Sequence, residues 1–203
     1  MTNHVEAVFA AANQQELAEQ YDKWAITYED DLNDQGGPKE AVEILAKYVQ
    51  PTARILDAGC GTGVVGQLLA GLGYVNVEGL DLSAGMLKEA RNKSCYGALH
   101  QMALGEPLEF GTGTFDAEIL VGVFARGHAP SRSFDELIRS TKPGGYLIFT
   151  LRPEFYENTD FKPTMSALAE SGRWRLVEVS EPFDGRFKAH PEVRLQVWVF
   201  QVL

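Results

Sequence analysis

Cysteine is scarce in this sequence of 203 residues, which contains only Cys60 and Cys95. Two thiols do not make a disulfide framework, and neither of them lies in a spacing that is typical of metal ligands. We therefore expect reduced thiols, no bound metal and a cytoplasmic location, since disulfides are rare in the reducing cytosol.

Positive charge is also in short supply. The chain has 18 Lys and Arg residues against 28 Asp and Glu residues, which gives a net charge of -10. Proteins that bind nucleic acids usually carry a basic face that neutralises phosphates, and anionic membranes likewise attract basic segments. The composition predicts neither a nucleic acid nor a membrane as partner, and we expect a monomer or a weak homodimer.

Long apolar runs and internal repeats are missing from the sequence. No stretch approaches the ~20 apolar residues of a membrane span, and residues 1–4 lack the basic and apolar regions of a signal peptide. The length and the 45% of hydrophobic residues are those of one globular domain. We expect residues 1–203 to form a single domain, with a helical segment over 1–50 and a Rossmann-like core over 51–203.

Helical periodicity dominates the first 50 residues. Apolar residues recur over residues 5–28 at spacings that predict one or two amphipathic helices. A loop is expected over residues 33–37. Pro38 suits the first position of a further helix, which ends before Pro51.

From Arg54 onwards, predicted strands alternate with predicted helices, which indicates a parallel sheet covered on both faces. The last two strands, over residues 174–180 and 193–203, have no helix between them and indicate an antiparallel hairpin. The fold class is therefore α/β, a doubly wound, mostly parallel seven-stranded sheet with an antiparallel C-terminal hairpin. The strands before the hairpin are predicted over residues 54–57, 75–81, 96–102, 115–124 and 146–151, and a capping box at Ser133 and Glu136 predicts the start of a helix.

A glycine-rich turn follows the first predicted strand, with Asp57 ahead of Gly59, Gly61 and Gly63. The spacing from Gly61 to Gly66 also matches the fingerprint of dinucleotide-binding proteins, in which an anionic pyrophosphate lies at this turn. S-adenosylmethionine carries no phosphate and presents an ammonium and a sulfonium cation. A carboxylate at Asp57 favours that cofactor over a dinucleotide by about 1–4 kcal/mol at a surface-like dielectric.

Asp81 ends the second predicted strand, close to the offset of about 20 residues expected for an acid that binds ribose hydroxyls. Its alternative role is to cap the next helix, although Ser83 is already placed to do so. Leu82 and Met86 follow at positions where an adenine ring can pack, and Met86 is equally suited to the core.

These segments resemble the motifs of the class I S-adenosylmethionine-dependent methyltransferases. The resemblance rests on the glycine turn, on the acid at Asp81, on the strand that begins at Phe115 and on the Lys142–Gly145 turn. Further similarity to the methyltransferase-like 27 (Williams–Beuren region) group comes from residues 21–28, 122–128 and 151–153.

The resemblance implies that S-adenosylmethionine is the cofactor and that an N-terminal helical lid covers it. Tyr21, Trp24 and Tyr28 share one helix face and are assigned to this lid, with a core-facing stripe as the alternative. The family usually places an Asp at the position of Ala103. Here backbone groups of Ala103 and Leu104, or the Gln101 side chain, are expected to contact adenine. The remaining residues assigned to the cofactor site are Ala58, Gly59, Gly61, Gly122 and Val123.

The predicted chemistry is methyl transfer to a small-molecule acceptor. His128, in the loop after the fourth strand, is the candidate general base because its pKa range suits proton transfer near neutral pH. Arg126 is the second candidate for a catalytic role, and Arg152, Glu154 and Tyr156 are placed on loops at the same edge. The alternatives are a non-catalytic cofactor-binding or regulatory protein, a nicotinamide-dependent oxidoreductase, and a protein methyltransferase.

Overall fold

A computed structural model describes residues 4–32, 36–186 and 192–203 of the chain. The N-terminal part is helical, as predicted, and Pro38 stands at the first position of its fourth helix. Residues 33–35 of the predicted loop lie outside the described residues. The helices of this part are α1 (His4–Ala10), α2 (Gln14–Trp24), α3 (Tyr28–Asp31) and α4 (Pro38–Tyr48).

Strands and helices then alternate. The strands are β1 (Arg54–Ala58), β2 (Asn76–Asp81), β3 (Ala98–Gln101), β4 (Phe115–Leu120), β5 (Thr141–Leu151), β6 (Trp174–Val179), β7 (Phe183–Asp184) and β8 (Arg194–Val202). The helices between them are α5 (Val64–Gly71), α6 (Ala84–Asn92), α7 (Ser133–Ser140), α8 (Pro153–Asn158) and α9 (Phe161–Glu170).

The strands form one sheet in the order β3-β2-β1-β4-β5-β8-β6, and the short β7 pairs with β8. Strands β1 to β5 are parallel to one another, whereas β8 is antiparallel to both β5 and β6. The predicted mostly parallel sheet with antiparallel C-terminal strands is confirmed. The chain order reverses between β1 and β4, which is where open α/β sheets form a ligand-binding crevice.

Two hydrophobic clusters lie in the core. One is rich in aromatic rings and contains Phe134, Phe149 and Trp174, while the other packs Leu45 of α4 and Leu69 of α5 against the sheet. Each large apolar side chain buried in this way contributes about 1.5–3 kcal/mol to folding. The sheet is thereby held rigidly, and the loops at its edge can position functional groups.

The fourth strand is shorter than predicted. It ends at Leu120 instead of residue 124, because Gly122 adopts a φ of +71° that an extended strand does not permit. The residues after Leu120 therefore form a loop at the edge of the sheet. This loop carries Val123 and His128 towards the reversal point.

The predicted capping box at α7 is wrong. Arg132, not Ser133, is the N-cap residue, and no side-chain cap is formed there. Glu136 instead accepts hydrogen bonds from Leu108 N at 2.7 Å and from the Arg139 side chain. The helix α8 was also not predicted, so Glu154 and Tyr156 lie on a helix and not on a loop.

Glu118 is a fully buried carboxyl group in the middle of β4. Burial raises its pKa to about 8, although Ser140 Oγ donates a hydrogen bond to it at 2.6 Å. The unfolded chain has a Glu pKa near 4.5. The folded protein therefore binds a proton here that the unfolded chain releases, and stability falls as the pH rises from about 4.5 to 8.

We predict that Glu118→Gln raises the free energy of unfolding at pH 7–8 relative to the wild type. Glu118 should contribute a fall of up to about 1.4 kcal/mol per pH unit to the wild-type free energy between about pH 5 and pH 7, and the variant should lose this contribution while Asp57 and Asp81 keep theirs. Urea unfolding between pH 5 and pH 8 measures both. Glu109→Gln, at an exposed position, is the matched control. An unchanged slope in Glu118→Gln would contradict this account.

Candidate functional site

A cavity that is open to solvent lies at the carboxyl ends of β1, β2 and β4, where the strand order reverses. Open α/β sheets bind ligands at such a reversal point. The lining comes from the glycine turn, from the end of β2, from the loops after β2, β3 and β4, and from the helices α2, α3 and α6. It comprises Gln14, Leu17, Tyr21, Tyr28, Gly59, Gly61, Leu80, Asp81, Leu82, Met86, Met102, Ala103, Leu104, Val121, Gly122, Val123, His128 and Ala129.

The glycine turn after β1 is held between two neighbouring strands. Gly59 N and Cys60 N both donate to Leu80 O of β2, at 2.7 and 2.9 Å. Gly59 has a φ of +83°, and a Cβ atom at this position would overlap the Val123 side chain from the loop after β4. Glycine is therefore required for both the backbone conformation and the close approach.

Asp81 connects the glycine turn with the start of α6. Its Oδ2 accepts a hydrogen bond from Gly61 N at 2.8 Å, and its Oδ1 accepts one from Ser83 N at 2.9 Å. Ser83 in turn caps α6, as predicted, by accepting from Met86 N. Burial raises the pKa of Asp81, and the backbone donors act in the opposite direction. The carboxylate faces the cavity with lone pairs still available.

Asp57 lies beneath the turn and is not part of the cavity lining. The sequence had predicted that its carboxylate contacts the cofactor at the entrance of the glycine turn. Its side chain is buried, and Tyr96 Oη donates a hydrogen bond to its Oδ2 at 2.6 Å. Its Oδ1 has no hydrogen-bond partner among the described residues. Burial raises the pKa of Asp57 to about 7, and the nearby Asp81 charge adds to this rise.

Tyr96 is a residue of this site that the sequence analysis missed. Its hydroxyl also accepts a hydrogen bond from Gly66 N at 3.2 Å, and a Cβ atom at Gly66 would overlap the Tyr96 ring. Gly66, the last glycine of the dinucleotide-like fingerprint, is thus required because the Tyr96 ring occupies the space that a side chain would take. Motif spacing relates residues that are close together in the chain, so it did not identify Tyr96, which lies 30 residues after Gly66.

The three N-terminal aromatic residues do not share one role. Tyr21 and Tyr28 line the cavity, whereas Trp24 is buried in a small cluster with Val8 and Leu17. Trp24 also donates its indole N–H to Asp31 at 2.8 Å. The core-facing alternative therefore holds for Trp24 in this structure. Ala58 is likewise absent from the lining, because it is a fully buried strand residue.

Asp22 attaches α2 to the start of α6. Its Oδ1 accepts hydrogen bonds from Ser83 Oγ at 2.5 Å and from Gly85 N at 2.7 Å. A Cβ atom at Gly85 would lie 2.8 Å from Asp22 Cα, so the two helices approach closely. A carboxylate at a helix N-terminus is favourably placed relative to the helix dipole.

His128 lies on the opposite side of the cavity and contacts α2. Tyr21 Oη and His128 Nε2 are 2.8 Å apart, and His128 Nδ1 is 3.0 Å from Arg126 O. A carbonyl oxygen only accepts, so Nδ1 carries the proton and Nε2 accepts from the Tyr21 hydroxyl. Burial lowers the pKa of His128, which keeps the ring neutral. Arg126 contributes its carbonyl group here, and its side chain does not line the cavity.

The far end of the cavity is mainly apolar. Leu82, Met86, Ala103 and Leu104 line it, as the sequence analysis expected. The Gln101 side chain is not in the lining and donates to Leu82 O at 3.3 Å. Gln14, which was not predicted, donates to Leu104 O at 3.3 Å.

The cavity wall carries negative charge without a positively charged side chain in its described lining. Within the described ranges, its lining contains the carboxylate of Asp81 and the neutral His128, and it contains neither Lys nor Arg. The same residues include no group of three or more His, Cys, Asp or Glu side chains that is suited to a metal ion. No helix in the described part of the chain is long and apolar enough to cross a membrane.

An open α/β sheet with a glycine turn and an acid at the switch point defines a Rossmann-like class of nucleotide-binding protein. Comparisons with known proteins narrow this class. Residues 56–149 match the methyltransferase domain family. The chain is 36% identical over 164 residues to methyltransferase-like protein 27 of Homo sapiens, which covers 76% of this chain and 66% of that protein.

Other relatives are more distant. The chain is 29% identical over 140 residues to 18S rRNA (guanine-N(7))-methyltransferase of Bos taurus, which covers 64% of this chain and 50% of that protein. The crystal structure of the [4+2]-cyclase SpnF shares the fold, with a TM-score of 0.73 at 14% identity over 95% of this chain and 97% of that chain.

Residues 56–149 of this chain match a methyltransferase domain, and the predicted resemblance to S-adenosylmethionine-dependent methyltransferases and to the methyltransferase-like 27 group is confirmed. The cofactor of this family is S-adenosylmethionine. The matched segments span 50% to 66% of the length of the two curated relatives.

We predict that Tyr21→Phe raises the pKa of His128. The Tyr21 hydroxyl donates to the neutral ring and stabilises that form, so its removal makes protonation easier. A hydrogen bond of about 0.5–1.5 kcal/mol corresponds to a rise of up to about one pKa unit. NMR titration of the ring protons measures this shift. Tyr28→Phe is the control, and an unchanged pKa in Tyr21→Phe would show that the contact is not formed in solution.

Proposed function

We propose that this chain binds S-adenosylmethionine in the cavity at the switch point and transfers its methyl group to a small-molecule acceptor. One observation carries the cofactor assignment: the carboxylate of Asp81 lines the cavity at the glycine turn, and that of Asp57 lies buried beneath the same turn. In the described residues, no Lys or Arg side chain lines the cavity. Such a site suits a phosphate-free nucleotide that carries positive charge and is unfavourable for a pyrophosphate.

The residues present fit the parts of this cofactor. Each Asp81 oxygen accepts one backbone hydrogen bond, and a carboxylate has about four acceptor positions, so Asp81 can also accept from both ribose hydroxyls. The buried Asp57 carboxylate, whose Oδ1 has no partner among the described residues, places negative charge beneath the turn formed by Gly59 and Gly61, and this charge attracts the ammonium group. The apolar end of the cavity, with Leu82, Met86, Ala103 and Leu104, takes the adenine ring, and Gly122 and Val123 close the side towards the methyl group.

The chain itself mainly positions the reactants. S-adenosylmethionine supplies an electrophilic methyl group on its sulfonium, and transfer is an in-line displacement that depends on alignment. Tyr21 and Tyr28 border the cavity from the N-terminal side, so α1 to α3 act as a lid that excludes water. Neutral His128 accepts a proton from the acceptor at Nε2 once Tyr21 no longer occupies that atom, while Arg126 O retains the proton on Nδ1.

A small molecule is favoured over a nucleic acid as the acceptor. One of the relatives is named as an rRNA methyltransferase, so RNA is the specific rival. An RNA acceptor requires cations to neutralise its phosphates, and this chain has a net charge of -10. The cavity wall adds a carboxylate and no described Lys or Arg. A nucleic acid is therefore not expected as the acceptor.

Asp81→Asn tests the cofactor assignment. Replacing one oxygen of the carboxylate by an amide removes the charge and an acceptor for the ribose hydroxyls. Binding of S-adenosylmethionine should weaken by about 10- to 100-fold, which corresponds to about 1.4–2.8 kcal/mol. Isothermal titration calorimetry gives the dissociation constants, and Asp116→Asn, at a partly exposed ion pair with Lys142 on the other end of β4, is the matched control. If the wild type binds nicotinamide dinucleotides but not S-adenosylmethionine, the assignment is wrong.

Labelled cofactor separates the acceptor classes. The protein is incubated with methyl-labelled S-adenosylmethionine and, in separate reactions, with the metabolite fraction, the RNA fraction and the protein fraction of a cell extract. We expect label to enter the metabolite fraction with the wild type and not with Asp81→Asn. Label in RNA or protein would contradict the small-molecule proposal. Cofactor binding without transfer to any fraction would favour the non-catalytic alternative.

A further inference from the structure

Asp57 is a buried carboxyl group with one free oxygen, and its other oxygen is held by a single side chain. Tyr96 Oη donates to Asp57 Oδ2 at 2.6 Å, while Oδ1 has no partner among the described residues. The hydroxyl of Tyr96 is itself fixed, because it accepts from Gly66 N at 3.2 Å. The chain therefore orients this carboxylate from below the glycine turn and leaves its second oxygen unused.

Glycines leave the space that the Tyr96 ring occupies. A Cβ atom at Gly66 would overlap its ring, and one at Gly63 would lie 3.1 Å from its Cε2 atom. Two glycines thus leave room for one phenol ring. A tyrosine that served only to fill space would not need its hydroxyl to bridge Gly66 and Asp57.

The groups that face Asp57 provide no positive charge. In the described part of the chain they are Tyr96, the second carboxylate Asp81, and the thiols Cys60 and Cys95. Burial raises the pKa of both thiols, so they are neutral near pH 7. The charge on Asp57 is thus stabilised by one hydrogen bond from Tyr96 and lacks a cationic partner within the chain.

We propose that Tyr96 is a positioning residue that holds the Asp57 carboxylate beneath the glycine turn, where its negative charge attracts the ammonium group of the cofactor. This inference rests on the proposed cofactor site and extends it to a residue outside the cavity. It makes recognition of the amino-acid portion of the cofactor dependent on a hydrogen bond beneath the turn. Recognition of adenosine depends on Asp81 and the apolar wall, and does not involve Tyr96.

The test compares two ligands that differ in the amino-acid portion. S-adenosylhomocysteine and 5′-methylthioadenosine both contain adenosine and an uncharged thioether sulfur. Only S-adenosylhomocysteine carries an amino-acid portion with an ammonium group. Each is titrated by calorimetry into the wild type and Tyr96→Phe between pH 6 and pH 9. The control Tyr74→Phe also removes a buried tyrosine hydroxyl, which donates to Val49 O at 2.7 Å away from the cavity. Thermal unfolding shows that each variant is folded.

The wild type should bind S-adenosylhomocysteine with a bell-shaped pH profile. On the acid side binding weakens as Asp57, whose pKa lies at about 7, becomes protonated. On the alkaline side it weakens as the ligand amine loses its proton, which occurs above the pKa of about 7.7–8.0 of a peptide amino terminus because the ligand's own carboxylate stabilises the ammonium form. In Tyr96→Phe the pKa of Asp57 rises further because a donor to the charged form is lost. The acid limb should move by about one pH unit, which makes binding at pH 6.5 about tenfold weaker.

Proton release gives an independent readout. Near pH 6.5 the ammonium group drives Asp57 to ionise on binding, so S-adenosylhomocysteine should release protons, measured as a dependence of the binding heat on the buffer. Tyr96→Phe should release more, because more Asp57 is protonated before binding. 5′-Methylthioadenosine should release none, and its affinity should be the same in the wild type and in both tyrosine variants. In an Asp57→Asn background, Tyr96→Phe should have no further effect on S-adenosylhomocysteine binding.

Three results would overturn the inference. One is an unchanged pH profile for S-adenosylhomocysteine in Tyr96→Phe. Another is an equal loss of affinity for both ligands, which would indicate that Tyr96 only supports the fold of the turn. A wild type that binds 5′-methylthioadenosine but gains nothing from the amino-acid portion would refute the role of Asp57 while leaving the adenosine site intact. A wild type that binds neither ligand would refute the proposed function itself.

Discussion

The carboxylate of Asp81 is the interaction on which the geometry of the site depends. It accepts from Gly61 N and from Ser83 N, and thereby joins the turn after β1 with the start of α6. Burying a charge is unfavourable unless it is hydrogen-bonded, and these two backbone donors meet that requirement. The arrangement fixes the glycine turn before a ligand arrives, so little ordering is left to occur on binding.

The N-terminal helices are linked to the core at both sides of the same cavity. Asp22 binds the start of α6 next to the Ser83 that Asp81 also contacts, and Tyr21 reaches His128 in the loop after β4. A helical segment held by polar contacts can separate from the core at a smaller free-energy cost than one held by a large apolar interface. The lid role proposed for α1 to α3 is consistent with these polar contacts.

Sequence patterns predicted the alternation of strands and helices, the position of the glycine turn after β1, and the cap at Ser83. Each of these features depends on residues that are close together in the chain. The patterns did not predict that Asp57 lies beneath the turn or that Trp24 belongs to a separate small core. Those outcomes are decided by Tyr96 and by the packing of α1 against α2, which are contacts over long sequence distances. The capping box at Ser133 was wrong for a related reason: Glu136 accepts from Leu108 N, 28 residues away, and from Arg139 in the next turn of its own helix.

The central claim is that paired carboxylates at the switch point select a cationic, phosphate-free nucleotide. A crystal structure of the complex with S-adenosylhomocysteine tests it most directly. The account predicts both ribose hydroxyls on the Asp81 carboxylate, the ammonium group on the side of Asp57, and adenine between Met86 and Leu104. A ligand whose ribose lies away from Asp81, or whose amino group points towards solvent, would contradict it.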